Sequence, residues 1–415
     1  MRKDSDIQVL ALCTSDSSGG AARAAYRIHE GVNRQTRGVS STMLVKDKRS
    51  DDPTVHALRE FSRGGRVADV AGWIANKWEN QLQHARWRPY PDRMPYYMSD
   101  LRGVPAGSAL RRMNFDLLHL HWINQRFVRL RDLAGVGKPV VWTLHDSWPF
   151  CGVCHYFLDC ERYKEACGRC PHLRSVNPND LSRKVWKEKN DLYGRLNLHI
   201  VAPSRWMAAV ASESGLLDGV PVTVIPNSVD TEVYRPYGER SSLAGRPVCV
   251  AFGAMNALKD SRKGYAYLRQ ALDKLPKDLD YRLMVFGADA LPEEGLPARC
   301  LGVIRSDQEM ASVYNQADVV VVPSIAENLS CTIMEALSCG TPVVAFRIGG
   351  NGDMIDHRGN GYLAEPFNSE DLAAGIVWCA ENQERLSFRA RQTVMERFTM
   401  AGIAERYTDL YRSLS

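Results

Sequence analysis

Two glutamates eight positions apart, Glu327 and Glu335, flank a short polar turn. A helix opens within that turn, so Asn328, Leu329, Ser330 and Cys331 are placed to offer its first backbone amides. The N–H groups and partial positive charge of a helix N-terminus bind anions, phosphates among them. Glu335 falls about two turns down the helix, at ~1.5 Å per residue. One carboxylate can then reach a sugar hydroxyl while the other reaches a ribose. An isolated Glu pair is ordinarily a cap or a solvated face. The residues around this one argue for more.

His145 stands at the end of the apolar run Val140–Leu144, and Asp146 follows it. A side chain at the carboxyl end of a parallel strand stands over the crevice where such sheets bind ligands. Lys259, Arg262 and Lys263 precede a helix beginning near Gly264. Cations there would hold a leaving diphosphate, whose charge grows as a sugar bond breaks. The loop Ser17-Ser18-Gly19-Gly20 joins the first strand to the first helix. Gly19 and Gly20 let backbone approach a phosphate closely, although neither the dinucleotide nor the P-loop spacing is present. A plain strand-to-helix turn is the other reading. His119 and His121 alternate on one strand and share a face.

Five of eleven cysteines fall between Cys151 and Cys170. Cys151-x2-Cys154 and Cys167-x2-Cys170 have the spacing of a four-cysteine zinc site, which would be closed and structural. Reduced thiols packed as small apolar groups are the competing reading.

These residues need a framework of strand, loop and helix. Ile7–Leu12, Thr42–Val45, Leu117–His121, Val140–Leu144 and Leu198–Ala202 read as strands of the first half, with helices near 21–32, 66–82 and 181–195. The second half restarts at Val248–Phe252. It continues through helix 264–275, strand Arg282–Phe286, helix 307–316 and the buried run Ala317–Val322. Past the Glu pair, Gly340 ends a helix and Pro342 precedes another buried strand. A last helix, about 400–414, has Ile403, Tyr407 and Leu410 on one face. Asn227–Asp230 reads as the hinge between the halves.

A chain of 415 residues suits two domains. The net charge of +5 is small against 53 basic and 48 acidic residues and does not point to nucleic acid. No apolar run approaches ~18 residues, and the N-terminus lacks a leader's apolar segment. The expectation is a cytoplasmic protein. Trp73, Trp78 and Trp87 interleave with Arg63, Arg66, Arg86, Arg88 and Arg93, a pattern that suits either core packing or contact with anionic lipid at the inner face of the membrane.

Several segments occur in the order found in retaining glycosyltransferases of family 4. They are Asp116–Trp122, Trp142–Asp146, Val201–Met207, Ile225–Asp230, Arg262-Lys263-Gly264, the Glu327/Glu335 unit, Gly349-Gly350 and Asn360–Leu363. The resemblance covers nearly the whole chain. His145–Phe150, Cys154-His155-Tyr156 and Cys167–Pro171 resemble the exopolysaccharide branch, such as colanic-acid-type transferases.

The resemblance implies a GT-B fold, two Rossmann-like α/β domains facing a central cleft. It implies an acceptor-side domain over 1–226 with a Cys-rich insert at 151–170. A nucleotide-sugar domain would span 227–395, and a helix over 396–415 would pack back on the first domain. His145 would stand near the donor sugar and reacting phosphate, and Gly19 and Gly20 near the diphosphate or acceptor. Glu327 would orient the sugar and Glu335 the ribose. Lys263 matches the family position. The family's Arg after the first strand of that domain is replaced here by Ala254-Met255, leaving Arg262 or Lys259 as its substitute. Cys154, Cys160, Cys167 and Cys170 would be the zinc quartet.

The expected reaction moves a hexose from a nucleotide-diphosphate sugar to a saccharide, free or polyprenyl-diphosphate-linked, in exopolysaccharide or cell-envelope synthesis. It retains configuration and needs no metal cofactor for the chemistry. An epimerase or hydrolase on the same fold, or a non-catalytic zinc-bearing scaffold, stays open as the alternative.

Overall fold

Continuous apolar runs make strands buried on both faces, and such strands pair in parallel with helices crossing between them. The computed structural model shows this pattern twice. It describes residues 6–61, 85–94, 98–99, 101–238, 245–254, 256–292 and 295–415. The chain divides into two compact units, Met1–Ile225 with Ala404–Ser415, and Pro226–Ile403. The helix expected near 66–82, with Trp73, Trp78, Arg63 and Arg66, lies outside the described residues.

Unit 1 holds β1 (Ile7–Ser15), β2 (Val39–Asp47), β3 (Val55–Ala57), β4 (Leu117–Leu120), β5 (Val140–Thr143), β6 (Leu198–Ala202) and β7 (Val222–Val224). They form one parallel sheet in the order β3-β2-β1-β4-β5-β6-β7. The register of β1 runs from Ile7 opposite Val39 to Ser15 opposite Asp47, while Val9 pairs with Leu117 on the other edge. Helices α1 (Gly20–Gln35), α2 (Leu181–Tyr193) and α3 (Arg205–Ser212) cross between strands. Asp180 and Ser204 start α2 and α3 with side-chain caps on the third backbone N–H, each worth about 1 kcal/mol.

Unit 2 follows the same plan. Its strands are β8 (Val248–Gly253), β9 (Tyr281–Phe286), β10 (Ala298–Cys300), β11 (Val319–Val322), β12 (Val343–Phe346) and β13 (Gly361–Ala364). The order is β10-β9-β8-β11-β12-β13, all parallel. The helices are α4 (Tyr265–Leu272), α5 (Asp307–Gln316), α6 (Cys331–Ser338), α7 (Ser369–Glu381) and α8 (Gln383–Arg397). Along β11 the side chains alternate, Val320 and Val322 joining one core and Val319 and Val321 the other. Each such buried side chain contributes about 1.5–3 kcal/mol.

The last helix, α9 (Met400–Leu414), supplies residues from Ala404 onward to unit 1. Tyr407 and Tyr411 are fully buried, and Tyr411, not Leu410, continues the buried face because a spacing of four keeps one side of a helix. No helix among the described residues is long and apolar enough to cross a membrane.

In both sheets the strand order reverses once, between β1 and β4 and between β8 and β11. The loops leaving the carboxyl ends at such a reversal are where open α/β sheets bind ligands.

Candidate active site

In unit 2 three loops meet at that reversal. The loop after β8 ends in a tight turn, Ser261–Lys263, capped by the Asp260 side chain on the Arg262 N–H. Gly264 follows at φ +73, and a Cβ there would lie 1.8 Å from the Pro323 carbonyl oxygen. Only glycine lets these two backbones touch. The Ile325 N–H then donates to the Arg262 carbonyl at 2.8 Å, joining the loop after β8 to the loop after β11. Gly349, in the loop after β12, makes the same kind of approach from another side. Its φ is +50, and a Cβ would lie 1.8 Å from the Glu327 carbonyl oxygen.

The result is an ion pair at the sheet's carboxyl edge. Lys263 Nζ donates to Glu327 Oε1 at 2.7 Å, with the side chains 28% and 13% exposed. Beside it, α6 begins at Ser330 with no side-chain cap and no carboxylate in its first turn. Asn328, Leu329 and Ser330 therefore lie at a positively polarised helix end next to a cation. This geometry suits a phosphate group.

Glu335 is placed differently. It is 1% exposed, and the Tyr314 hydroxyl donates to its Oε2 at 3.2 Å. Helix α6 is buried on every side, so its one carboxylate is held inside the unit. The two glutamates of the spaced pair thus have unlike surroundings, one near the surface with a lysine and one enclosed with a tyrosine.

Arg262 does not serve as an open cation in this geometry. Its Nε and Nη2 fork onto Asp260 at 3.0 and 2.6 Å, and its side chain is 7% exposed. The role expected of it at a diphosphate has no support here. Lys263 and the exposed Lys259 remain. An aspartate two residues before the arginine was the signal available in the sequence.

Unit 1 places the other candidates at its own reversal. Gly19, at φ +91, starts α1, again without a side-chain cap or a first-turn carboxylate. The Ser17 and Ser18 N–H groups are turned back onto Ser15 Oγ at 3.3 and 3.2 Å. His145 Nε2 lies 3.0 Å from His121 Nδ1. The rings of His119 and His121 are 4.0 Å apart. His119 is held by Tyr411 Oη at 2.7 Å and Thr143 Oγ1 at 2.8 Å, and Thr143 Oγ1 meets Tyr407 Oη at 3.0 Å. Burial pushes His145 down to about 4 and His119 to about 3, and burial with its histidine neighbours holds His121 well below the ordinary imidazole range. All three imidazoles are neutral near pH 7, so His145 offers a hydrogen bond and not a charge.

Asp146 organises the loop behind His145. It is buried and accepts from Trp122 Nε1 at 2.7 Å, from the Trp148 N–H at 2.9 Å and from His155 Nδ1 at 2.5 Å. Sequence reasoning gave Asp146 and His155 no role, and nothing in their spacing announces this contact. Cys154, Cys160, Cys167 and Cys170 line one small pocket together with Cys151. Among the described residues no three metal-ligating side chains stand grouped to hold an ion.

The halves of the chain match known families. A model of group 1 glycosyl transferases fits residues 246–382, and a model of glycosyltransferase family 4 fits residues 18–233. The chain belongs to glycosyltransferase family 4. Among family relatives, WcaC of Escherichia coli K12, named as a putative colanic acid biosynthesis glycosyl transferase, is 24% identical over 61% of this chain and 64% of its own. A D-inositol 3-phosphate glycosyltransferase of Nocardiopsis dassonvillei is 32% identical over 39% of this chain and 42% of its own. The chain thus spans less than two thirds of these relatives' lengths. Anabaena HepE, solved with UDP and glucose, is similar in structure with a TM-score of 0.60 at 19% identity, over 98% of this chain and 100% of that one. That likeness establishes the GT-B fold, with two parallel-sheet α/β domains.

Proposed function

We propose that this family 4 member is a retaining glycosyltransferase. It would move a hexose from a nucleotide-diphosphate sugar to a saccharide acceptor, lipid-linked and destined for exopolysaccharide or cell-envelope polysaccharide. The observation that carries the reading is the Lys263–Glu327 pair beside the α6 N-terminus, at the strand-order reversal of unit 2. The UDP and glucose bound by the similar Anabaena protein support a nucleotide-sugar donor. The WcaC relative supports the exopolysaccharide setting.

In this reading Lys263 and the amides of Asn328, Leu329 and Ser330 hold the diphosphate. Charge builds on its oxygens as the bond to the sugar's anomeric carbon breaks, so fixed donors favour the transition state over the ground state. Glu327 has one oxygen on Lys263, which fixes the carboxylate while it orients the sugar hydroxyls. Glu335 serves the ribose once Tyr314 and its surroundings yield. Neutral His145 donates a hydrogen bond to the reacting groups. The acceptor oxygen bonds to the anomeric carbon on the face the phosphate leaves, and the leaving phosphate takes the acceptor's proton. No metal cofactor enters this proposal for the chemistry.

The test is transfer with purified protein, a set of nucleotide sugars and polyprenyl-linked or free oligosaccharide acceptors, followed by NMR of the new linkage. The proposal predicts acceptor-dependent nucleotide release and a product with the donor's anomeric configuration. An inverted product refutes retention. Nucleotide release that ignores the acceptor, with no new linkage, refutes transfer.

A further inference from the structure

We propose that His155 is a positioning residue for the transfer reaction. By joining Ser99 to Asp146 it fixes the loop that carries His145, and with it the place where His145 meets the donor. The inference rests on the transferase reading of His145.

Asp146 follows His145 directly in the chain, and it is buried. A buried carboxylate must be paired. Its donors are the Trp148 N–H on Oδ1, and Trp122 Nε1 and His155 Nδ1 on Oδ2. Burial pushes the Asp146 carboxyl up, but His155 and these hydrogen bonds outweigh it and hold the group below its ordinary range. An ionised carboxylate only accepts, so the shared proton stays on His155 Nδ1. The other ring nitrogen, Nε2, lies 2.8 Å from Ser99 Oγ. Hydroxyl, imidazole and carboxylate thus form one chain, and a ring bonded at both nitrogens loses its freedom to turn. His155 is 2% exposed, with the Trp148 ring stacked at 6.3 Å and 15° and the Trp122 ring at 5.6 Å.

Three chain segments close around this ring. The Ser99 N–H donates to the Val153 carbonyl at 3.0 Å, and Trp148 Nε1 donates to the Ser99 carbonyl at 2.9 Å. The Ser147 N–H donates to the carbonyl of His155 itself at 3.1 Å. Trp122, just beyond β4, is tied in turn to the end of β1. Its carbonyl accepts from the Thr14 N–H at 2.8 Å and from Thr14 Oγ1 at 2.9 Å. Asp146 therefore joins the loop after β5 to the carboxyl ends of β4 and β1, the two strands at the reversal in unit 1.

His145 is gripped from two sides, its ring by His121 and its backbone by the neighbouring Asp146. Loss of the His155 imidazole leaves Asp146 with two of these three donors and cuts the tie to Ser99. The loop is then free to drift, and a displacement of about 1 Å at a reacting group is on the scale that costs 10²-fold in rate. His155 touches neither donor nor acceptor in this account and acts only through Asp146.

The experiment compares His155→Phe, His155→Asn and Ser99→Ala in the full chain, by kinetics and by NMR of protein carrying isotope-labelled histidine. The asparagine amide keeps an N–H donor near the place of Nδ1. We expect kcat to fall about 10²-fold in His155→Phe, to fall less in Ser99→Ala, and to recover in large part in His155→Asn. KM for the sugar nucleotide should change little, because Lys263 and the α6 N-terminus hold the diphosphate. Without substrate, the wild type should show a His155 Nδ1–H proton far downfield that is absent from Asp146→Asn. The His145 ring signals, assigned with His145→Gln, should move in His155→Phe and return in His155→Asn. A merely structural role would lower stability without that pattern. A folded His155→Phe variant with wild-type kcat overturns the proposal, as do His145 signals that ignore the substitution. If His155→Phe does not fold, a wild type lacking the Nδ1–H signal, or Ser99→Ala with unmoved His145 signals, overturns it equally. Protein that shows the NMR pattern but transfers no sugar upholds the clamp and refutes the transferase reading.

Discussion

Gly349→Ala should disable the enzyme from a position that carries no functional group. The added Cβ would lie 1.8 Å from the Glu327 carbonyl oxygen, and Cβ atoms essentially never come within 3.0 Å of such a neighbour. The Glu327 backbone must therefore retreat by more than about 1 Å, a misplacement on the scale that can cost 10²-fold in rate. Alanine at φ +50 adds about 1 kcal/mol of backbone strain. We expect kcat/KM to fall about 100-fold, with a stability loss of about 1–3 kcal/mol that leaves the protein folded at 25 °C. The control is Gly352→Ala, in the next turn of chain, where an added Cβ meets nothing within 4 Å. The assay is acceptor-dependent release of nucleotide, with circular dichroism to confirm folding. A folded Gly349→Ala variant within twofold of wild-type turnover would refute the claim that Glu327 must stand where it does.

Lys263→Met should lower donor affinity and turnover together, by about 10²-fold in kcat/KM for one lost charge-stabilising donor; an unchanged KM for the sugar nucleotide would remove Lys263 from the diphosphate. Asp260→Ala removes the carboxylate onto which the buried Arg262 guanidinium forks and should cost about 3 kcal/mol in urea unfolding, whereas a loss below about 0.5 kcal/mol would mean that the Asp260 contact contributes little. Unit 1 should weaken as pH falls below 6.5. His119 and His29 are buried and neutral, with burial holding them at about 3 and about 4, so the unfolded chain takes up protons that the folded one refuses. Each contributes stability that is complete above pH 6.5 and falls by up to about 1.4 kcal/mol per pH unit below it. Flat stability between pH 7 and 5, measured by chemical denaturation, would contradict this. Tyr411→Phe removes the hydroxyl partner of His119 and should cost about 1–2 kcal/mol, and a neutral effect would show that the contact is dispensable.

Much of unit 2 was legible because its signals are local. The valine run of β11, the helix end at Gly340 and the restart after Pro342 each lie within a few residues, and α5 spans 307–316 as its pattern predicts. β3, β7 and β10 were not legible, since three residues carry no usable alternation. Alternation did place His119 and His121 on one face. It had no means of showing Tyr411, 292 residues away, beneath them. The roles of charged groups were the least legible. Spacing marked Arg262 as a cation and Glu335 as a ligand, but it had no means of showing that a turn pairs Arg262 with Asp260 or that Glu335 is buried beside Tyr314. Which charges stay open is settled by packing across loops distant in sequence.

The most direct test of the donor site is thermal stability of wild-type and Lys263→Met protein with UDP-, GDP-, ADP- and dTDP-sugars. A ligand at about 100 times its dissociation constant adds about 2.7 kcal/mol. The account predicts that one nucleotide class stabilises the wild type and that Lys263→Met loses most of that gain. A wild type that none of them stabilises, or a variant that responds equally, would contradict it.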